Sequence, residues 1–122
     1  MEIILVIEDN SDLTTVLKQL LEYVGFNVYS AIDGESAWRL LQSHTFTPDA
    51  ILCDLTLPDI SGLEFLLRIR QDSVYAQSYF VAMSGHVSEK KEALAAGANA
   101  YLPKPFSLEE LERILRYPRH IQ

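Results

Sequence analysis

Three carboxylates, one hydroxyl and one ammonium group stand out by where they fall in the chain. Glu8 and Asp9 follow the apolar run Ile3-Ile4-Leu5-Val6-Ile7, and Asp54 follows Ala50-Ile51-Leu52-Cys53. Ser84 follows the run 79–83, and Lys104 follows Ala100-Tyr101-Leu102-Pro103. If each run is a strand of one parallel sheet, all five groups reach the same sheet edge. Two unit charges ~4 Å apart at an effective dielectric of ~20 repel by roughly 4 kcal/mol. Protonation or a bound cation must relieve that repulsion, because Lys104 balances only part of it. Hard oxygen ligands, few in number and open to water, suit Mg²⁺ or Mn²⁺. Singly, an Asp after a strand caps a helix, a Ser makes a turn and a Lys is solvated. It is the five together that point to chemistry.

The elements that would position these groups are legible. The β-branched run 3–7 reads as a strand buried on both faces. Asn10, Ser11 or Asp12 can cap the helix that follows, in which Leu13, Val16, Leu17, Leu20, Leu21 and Val24 recur at helical spacing until Gly25. Residues 27–31 read as a second strand. Asp33-Gly34 leads into a second helix with Ala37, Leu40 and Leu41 inward. Pro48 precedes the third strand, and a loop with Pro58 and Gly62 leads to a helix over 63–70. The fourth strand ends at Ser84-Gly85, and its helix runs to about 96, before Gly97. After the fifth strand and Pro103-Lys104-Pro105, Ser107 and Glu110 predict a capping box. The last helix then carries Leu108, Leu111, Ile114 and Leu115 inward, and 117–122 reads as a tail. Five strands alternating with five helices predict a doubly wound parallel sheet with helices on both faces.

The chain's 122 residues suit one domain, 1–122, with its core over about 3–116. Its net charge of −7 and lack of a basic stripe argue against direct nucleic-acid binding. Arg113, Arg116 and Arg119 near the end of the last helix, with Glu109, Glu110 and Glu112 at its start, complement the helix dipole. Cys53 lies in an apolar run and reads as a buried structural thiol. With no secretory signal and no bilayer-length apolar run, the chain is expected in the cytoplasm, away from membranes.

With these residues in place and in order, the sequence resembles the response regulator receiver domain family (CheY-like) of two-component signalling systems. The resemblance covers 3–115 and rests on Glu8-Asp9, Asp54, Pro58, Gly62, Ser84-Gly85, Tyr101 and Lys104-Pro105. Ser84 is more often Thr in that family, and Glu8-Asp9 more often Asp-Asp; both are frequent variants. The resemblance implies a flavodoxin-like fold with strand order 2-1-3-4-5. It implies that Asp54 accepts a phosphoryl group from a histidine kinase or histidine phosphotransfer protein in a Mg²⁺-dependent reaction. Glu8, Asp9, Asp54 and the backbone carbonyl of Thr56 would hold the metal, and Lys104 and Ser84 would bind phosphoryl oxygens. Tyr101 would switch with Ser84, and Thr56 and His86 would modulate the lifetime of the phosphorylated state. A downstream protein target would bind the face of the fourth helix, fifth strand and fifth helix. Leu13, exposed beside the pocket, would help dock the phosphoryl donor. The Lys104–Pro105 bond is expected to be cis.

Rival readings fit less well. A phosphatase of the haloacid dehalogenase type needs a second Asp two residues after the nucleophile, where Thr56 stands. A flavin-binding module needs a Ser/Thr/Gly-rich phosphate loop where Glu8-Asp9 stand. A receiver kept only as a non-phosphorylated scaffold should have lost one of the reactive groups, and none is missing. The sequence does not separate a free-standing regulator from the receiver of a hybrid kinase or larger regulator.

Overall fold

The computed structural model describes residues 2–121, and side chains over 2–116. Among the described residues, strands and helices alternate as β1 (Ile3–Ile7), α1 (Ser11–Tyr23), β2 (Asn27–Ala31), α2 (Gly34–Gln42), β3 (Ala50–Asp54), α3 (Gly62–Gln71), β4 (Tyr79–Ser84), α4 (Lys90–Ala95), β5 (Ala100–Pro103) and α5 (Leu108–Ile121). A single 3₁₀ turn, Val87–Glu89, precedes α4. The five strands form one parallel sheet in the order β2-β1-β3-β4-β5, the doubly wound arrangement expected. The order reverses beside β1, and the crevice there opens beyond the carboxyl ends of β1 and β3.

Register brings the reactive groups level. Ile7 stands opposite Cys53, Asp54 opposite Met83, and Ser84 opposite Pro103. Glu8 and Lys104 each lie one residue beyond these pairs. Alternate strand residues fill two cores. Leu5, Ile7, Ile51, Cys53, Phe80 and Ala82 face α2, α3 and α4, where Leu41, Phe65, Ile69 and Ala93 meet them. Ile4, Val6, Leu52, Val81, Met83 and Leu102 face α1 and α5, meeting Leu17, Leu21, Leu111 and Leu115.

The caps follow the sequence reading. Asn10 Oδ1 accepts the N–H groups of Asp12 and Leu13, and Asp33 Oδ1 accepts that of Ser36. Ser107 and Glu110 form the reciprocal box at α5. Gly25 and Gly97 take positive φ, +107° and +111°, where helices α1 and α4 end. The Lys104–Pro105 bond is cis, as expected.

Four expectations change. Val16 and Leu108 are exposed, because the buried stripes of α1 and α5 are narrower than the apolar spacing suggested. Arg116 does not serve its own helix end. Its guanidinium lies 4.9 Å from the Phe26 ring centroid and donates to the Val24 carbonyl, closing the end of α1. Helix α5 runs on to Ile121, past position 117, where a tail was expected. No glycine stops it, and Pro118 removes only one N–H. The carbonyl that this N–H would have met, that of Ile114, accepts the Tyr79 hydroxyl at 2.8 Å.

The loop after β3 depends on Gly62. A β-carbon there would lie 2.5 Å from the Asp54 carbonyl oxygen and 2.6 Å from Leu55 Cα, and the Gly62 N–H donates to the Leu55 carbonyl at 2.9 Å. The obstacle is backbone, which cannot turn aside. Gly62→Ala should therefore destabilise the fold by about 1–3 kcal/mol, as an overpacked core does. Urea denaturation checks this, and an unchanged midpoint would show that the loop yields freely.

Candidate functional site

At the carboxyl edge of the sheet, Lys104 Nζ lies 2.6 Å from Glu8 Oε1 and 3.2 Å from Asp54 Oδ2. These contacts join strands β1, β3 and β5 across 96 and 50 residues of chain. Main-chain pairing brings Lys104 there, since its N–H donates to the Ser84 carbonyl at 2.8 Å. Asp54 is buried, and its other oxygen, Oδ1, accepts the Thr56 N–H at 3.0 Å. Asp54 is thus held from two sides at the end of the central strand.

Glu8 joins the acidic cluster from a buried position. It is 1% exposed, and both of its oxygens are engaged: Oε1 by Lys104, and Oε2 by the Asn10 N–H at 3.1 Å. Burial pushes its carboxyl up from the ordinary range, and Asp54 adds to the rise. The hydrogen bonds from Lys104 and Asn10 offset only part of it. For Lys104, burial acts downward, but the hydrogen bond to Glu8 and the charges of Asp54 and Glu8 outweigh it, and its ammonium is held above its usual value.

Asp9 is exposed, next to buried Glu8. Glu8, Asp9 and Asp54 each offer an oxygen within 4.8 Å of the others. Three hard donors, one of them open to water, fit a small divalent cation of the Mg²⁺ type.

Ser84 is 1% exposed. Its Oγ accepts the His86 N–H at 2.9 Å and donates to Glu89 Oε1. Tyr101 is half-buried, and its hydroxyl donates to the His86 carbonyl at 2.8 Å. Ser84 and Tyr101 therefore meet the same loop. Thr56 and His86 expose their side chains while their amides hold Asp54 and Ser84. Leu13, expected to be exposed, is half-buried, because it packs against the core between α1 and α5. With Lys104, Pro105 and Phe106 it lines a groove of about 360 Å³ beside the acidic cluster. Cys53 is buried beneath the site, and burial pushes its thiol well up, in keeping with a structural role.

The residue that sequence reasoning missed is Glu89. It lies in a single 3₁₀ turn, too short to show periodicity, and its partner is a hydroxyl five residues away. The spacing carries no signal for such a contact.

Comparison with known proteins bears on this arrangement. The family described as "Response regulator receiver domain" matches residues 4–116. The transcriptional regulatory protein TrcR of Mycobacterium tuberculosis is 38% identical over 113 residues, which are 93% of this chain and 43% of TrcR. The transcriptional regulatory protein CpxR of Escherichia coli K12 is 38% identical over 93% of this chain and 47% of its own length. The chain thus spans about half the length of these relatives. The receiver domain of the sensor histidine kinase PA1611 from Pseudomonas aeruginosa PAO1 superposes with a TM-score of 0.84 at 33% identity, covering 95% of both chains. That structure holds a magnesium ion coordinated in its active site cleft. No described helix of the present chain is long and apolar enough to cross a membrane. The acid-and-lysine edge of this sheet and these likenesses agree, and the chain belongs to the response regulator receiver domain family.

Proposed function

We propose that Asp54 accepts a phosphoryl group from a phosphohistidine of a kinase or phosphotransfer protein. The observation that carries this is the clamped Asp54 carboxylate, with Lys104 Nζ at 3.2 Å on one oxygen and the Thr56 N–H at 3.0 Å on the other, beside two further acids. In the transfer, an Asp54 oxygen attacks phosphorus as the P–N bond breaks, and the imidazole leaves with its electron pair. Positioning and charge neutralisation do most of the work in such reactions. Lys104 supplies a fixed positive charge toward the phosphoryl oxygens, and the Ser84 hydroxyl supplies a donor. A divalent ion held by Asp9, Asp54 and the Thr56 carbonyl, with Glu8 acting through water, would neutralise the charge that builds up around phosphorus. Thr56 and His86 would then govern water access to the acyl phosphate. The domain turns over no substrate other than its own phosphoryl group.

The signal would leave through the face of α4, β5 and α5. Tyr101 is tied to the loop that carries Ser84, and Val87 before α4, Leu94 of α4 and Leu108 of α5 are exposed apolar residues. The donor would dock on the groove lined by Leu13 and Phe106.

Incubation with acetyl phosphate and Mg²⁺ should add one phosphoryl group, read by intact mass, and none without the metal. Asp9→Ala should weaken Mg²⁺ binding by roughly tenfold or more, read by calorimetry, since even residues that only orient a metal's ligands cost about 10–100-fold. Phosphoryl uptake independent of metal, or unchanged Mg²⁺ affinity in Asp9→Ala, would overturn this metal assignment.

A further inference from the structure

We infer that Glu89 is a positioning residue for Ser84, a latch that holds the Ser84 hydroxyl away from the phosphoryl group until phosphorylation draws it off. The inference rests on the reading of Asp54 as phosphoacceptor. A serine hydroxyl has one proton to give. Here that proton goes to Glu89 Oε1, while the hydroxyl oxygen is taken by the His86 N–H at 2.9 Å. A hydroxyl so engaged cannot also donate to an oxygen on Asp54.

The acceptor is a carboxylate on a half-buried side chain, and the donor is almost fully buried, 1% exposed. Hydrogen bonds to a charged acceptor are stronger than neutral ones, and more so away from water. The phosphoryl oxygens compete for the same proton with more charge. Two arrangements of Ser84 are thus in balance, one facing Glu89 and one facing Asp54.

The latch also reaches the switch surface. The Glu89 N–H donates to the His86 carbonyl at 3.0 Å, and the Tyr101 hydroxyl donates to that same oxygen at 2.8 Å. When Ser84 turns from Glu89, the side-chain tie between residues 84 and 89 is lost, and the loop holding the Tyr101 hydroxyl is freed to move. Glu89 therefore sets how much of the phosphoryl group's binding is spent in throwing the switch.

The test uses beryllofluoride with Mg²⁺ as the phosphoryl mimic and calorimetry as the readout. Glu89→Ala should bind the mimic on the order of 10- to 150-fold more tightly than wild type, the worth of one hydrogen bond to a charged acceptor. Glu89→Gln, which keeps an acceptor but loses the charge, should fall between them. In a Ser84→Ala background, Glu89→Ala should change nothing, because the latch acts only through the hydroxyl. Equal affinity in wild type and Glu89→Ala would overturn the inference. So would the same gain in the Ser84→Ala background, which would mean that deleting a negative charge is the whole effect. Wild-type protein that binds no mimic and takes no phosphoryl group from acetyl phosphate would refute the phosphoacceptor reading, and the latch with it. Circular dichroism on each variant separates loss of fold from loss of binding.

Discussion

Asp54→Asn should take up no phosphoryl group from acetyl phosphate or from a phosphohistidine donor, and should be at least as stable as wild type. The first half follows from the other acids nearby. Glu8 is buried, with Oε1 held by Lys104 and Oε2 by the Asn10 N–H, so attack on phosphorus would have to break these contacts. Asp9 is exposed, and among the described residues the Lys104 ammonium and the Thr56 N–H meet Asp54 rather than Asp9. Asp54 alone has Lys104 and the Thr56 N–H to balance the charge of an acyl phosphate. The second half follows from electrostatics. Asp54 raises the carboxyl of Glu8, which means that the two anions repel. A neutral amide of the same shape removes that repulsion, leaves Lys104 with Glu8, and keeps an oxygen for the Thr56 N–H. Intact mass measures uptake, and urea denaturation near neutral pH measures stability. A phosphoryl adduct on the variant would move the nucleophile elsewhere. A large loss of stability would mean that the Asp54 charge supports the fold.

Much of this arrangement is readable from the chain, for a topological reason. In a parallel sheet, the residue after each strand always reaches the same edge. Finding the ends of four apolar runs is therefore enough to gather Glu8, Asp54, Ser84 and Lys104. Helix caps were equally local, because Asn10, Asp33 and Ser107 bond to amides two or three residues away. What was not legible depends on side-chain direction and on partners set by packing. The place of Glu8 in the acidic cluster was legible from its position, but the contacts of its oxygens with Lys104 and Asn10 were not. Arg70 stands at the end of the helix predicted over 63–70, and nothing in the sequence shows where its side chain goes. It bridges the carbonyls of Ala76, Ser78 and Gly97, and so ties α3 to the chain entering β4 and β5. Arg116 seals the end of α1, 92 residues away. Spacing holds no information about such pairs, since each is decided by which elements pack side by side.

Lys104→Met should show how much of the site's stability rests on one cation. In the native protein, Lys104 faces two carboxylates, and its side chain is only 25% exposed while that of Glu8 is 1% exposed. Replacing it with an apolar side chain of similar length keeps the packing and removes the charge. A buried ion left without its partner costs about 3–5 kcal/mol, unless it takes up a proton. Glu8 has that way out. Its carboxyl is already raised by burial and by Asp54, and the hydrogen bond and charge of Lys104 are among the influences that lower it. Without Lys104 it must rise further. A group whose folded value lies above its unfolded one contributes stability that is fully present below the unfolded value. That stability is lost as pH rises through the folded value. The variant and the wild type should therefore be close in stability below about pH 4.5, the ordinary value for this group. They should diverge as pH climbs toward neutrality, by about 3 kcal/mol at most. The raised ammonium of Lys104 works in a separate window. It stabilises the wild type up to alkaline pH and is lost only as pH passes its elevated folded value. Added Mg²⁺ should restore the variant more than it stabilises the wild type, because the ion then meets the acids without a competing ammonium. Phosphoryl uptake should still fall by about 10²-fold or more, the usual result of removing one fixed donor from a developing negative charge. Urea denaturation across pH, with and without Mg²⁺, together with the rate of uptake from acetyl phosphate, gives all three readings. A stability difference that does not change with pH would show that Glu8 stays charged without Lys104, and that the site has another way to hold two anions together.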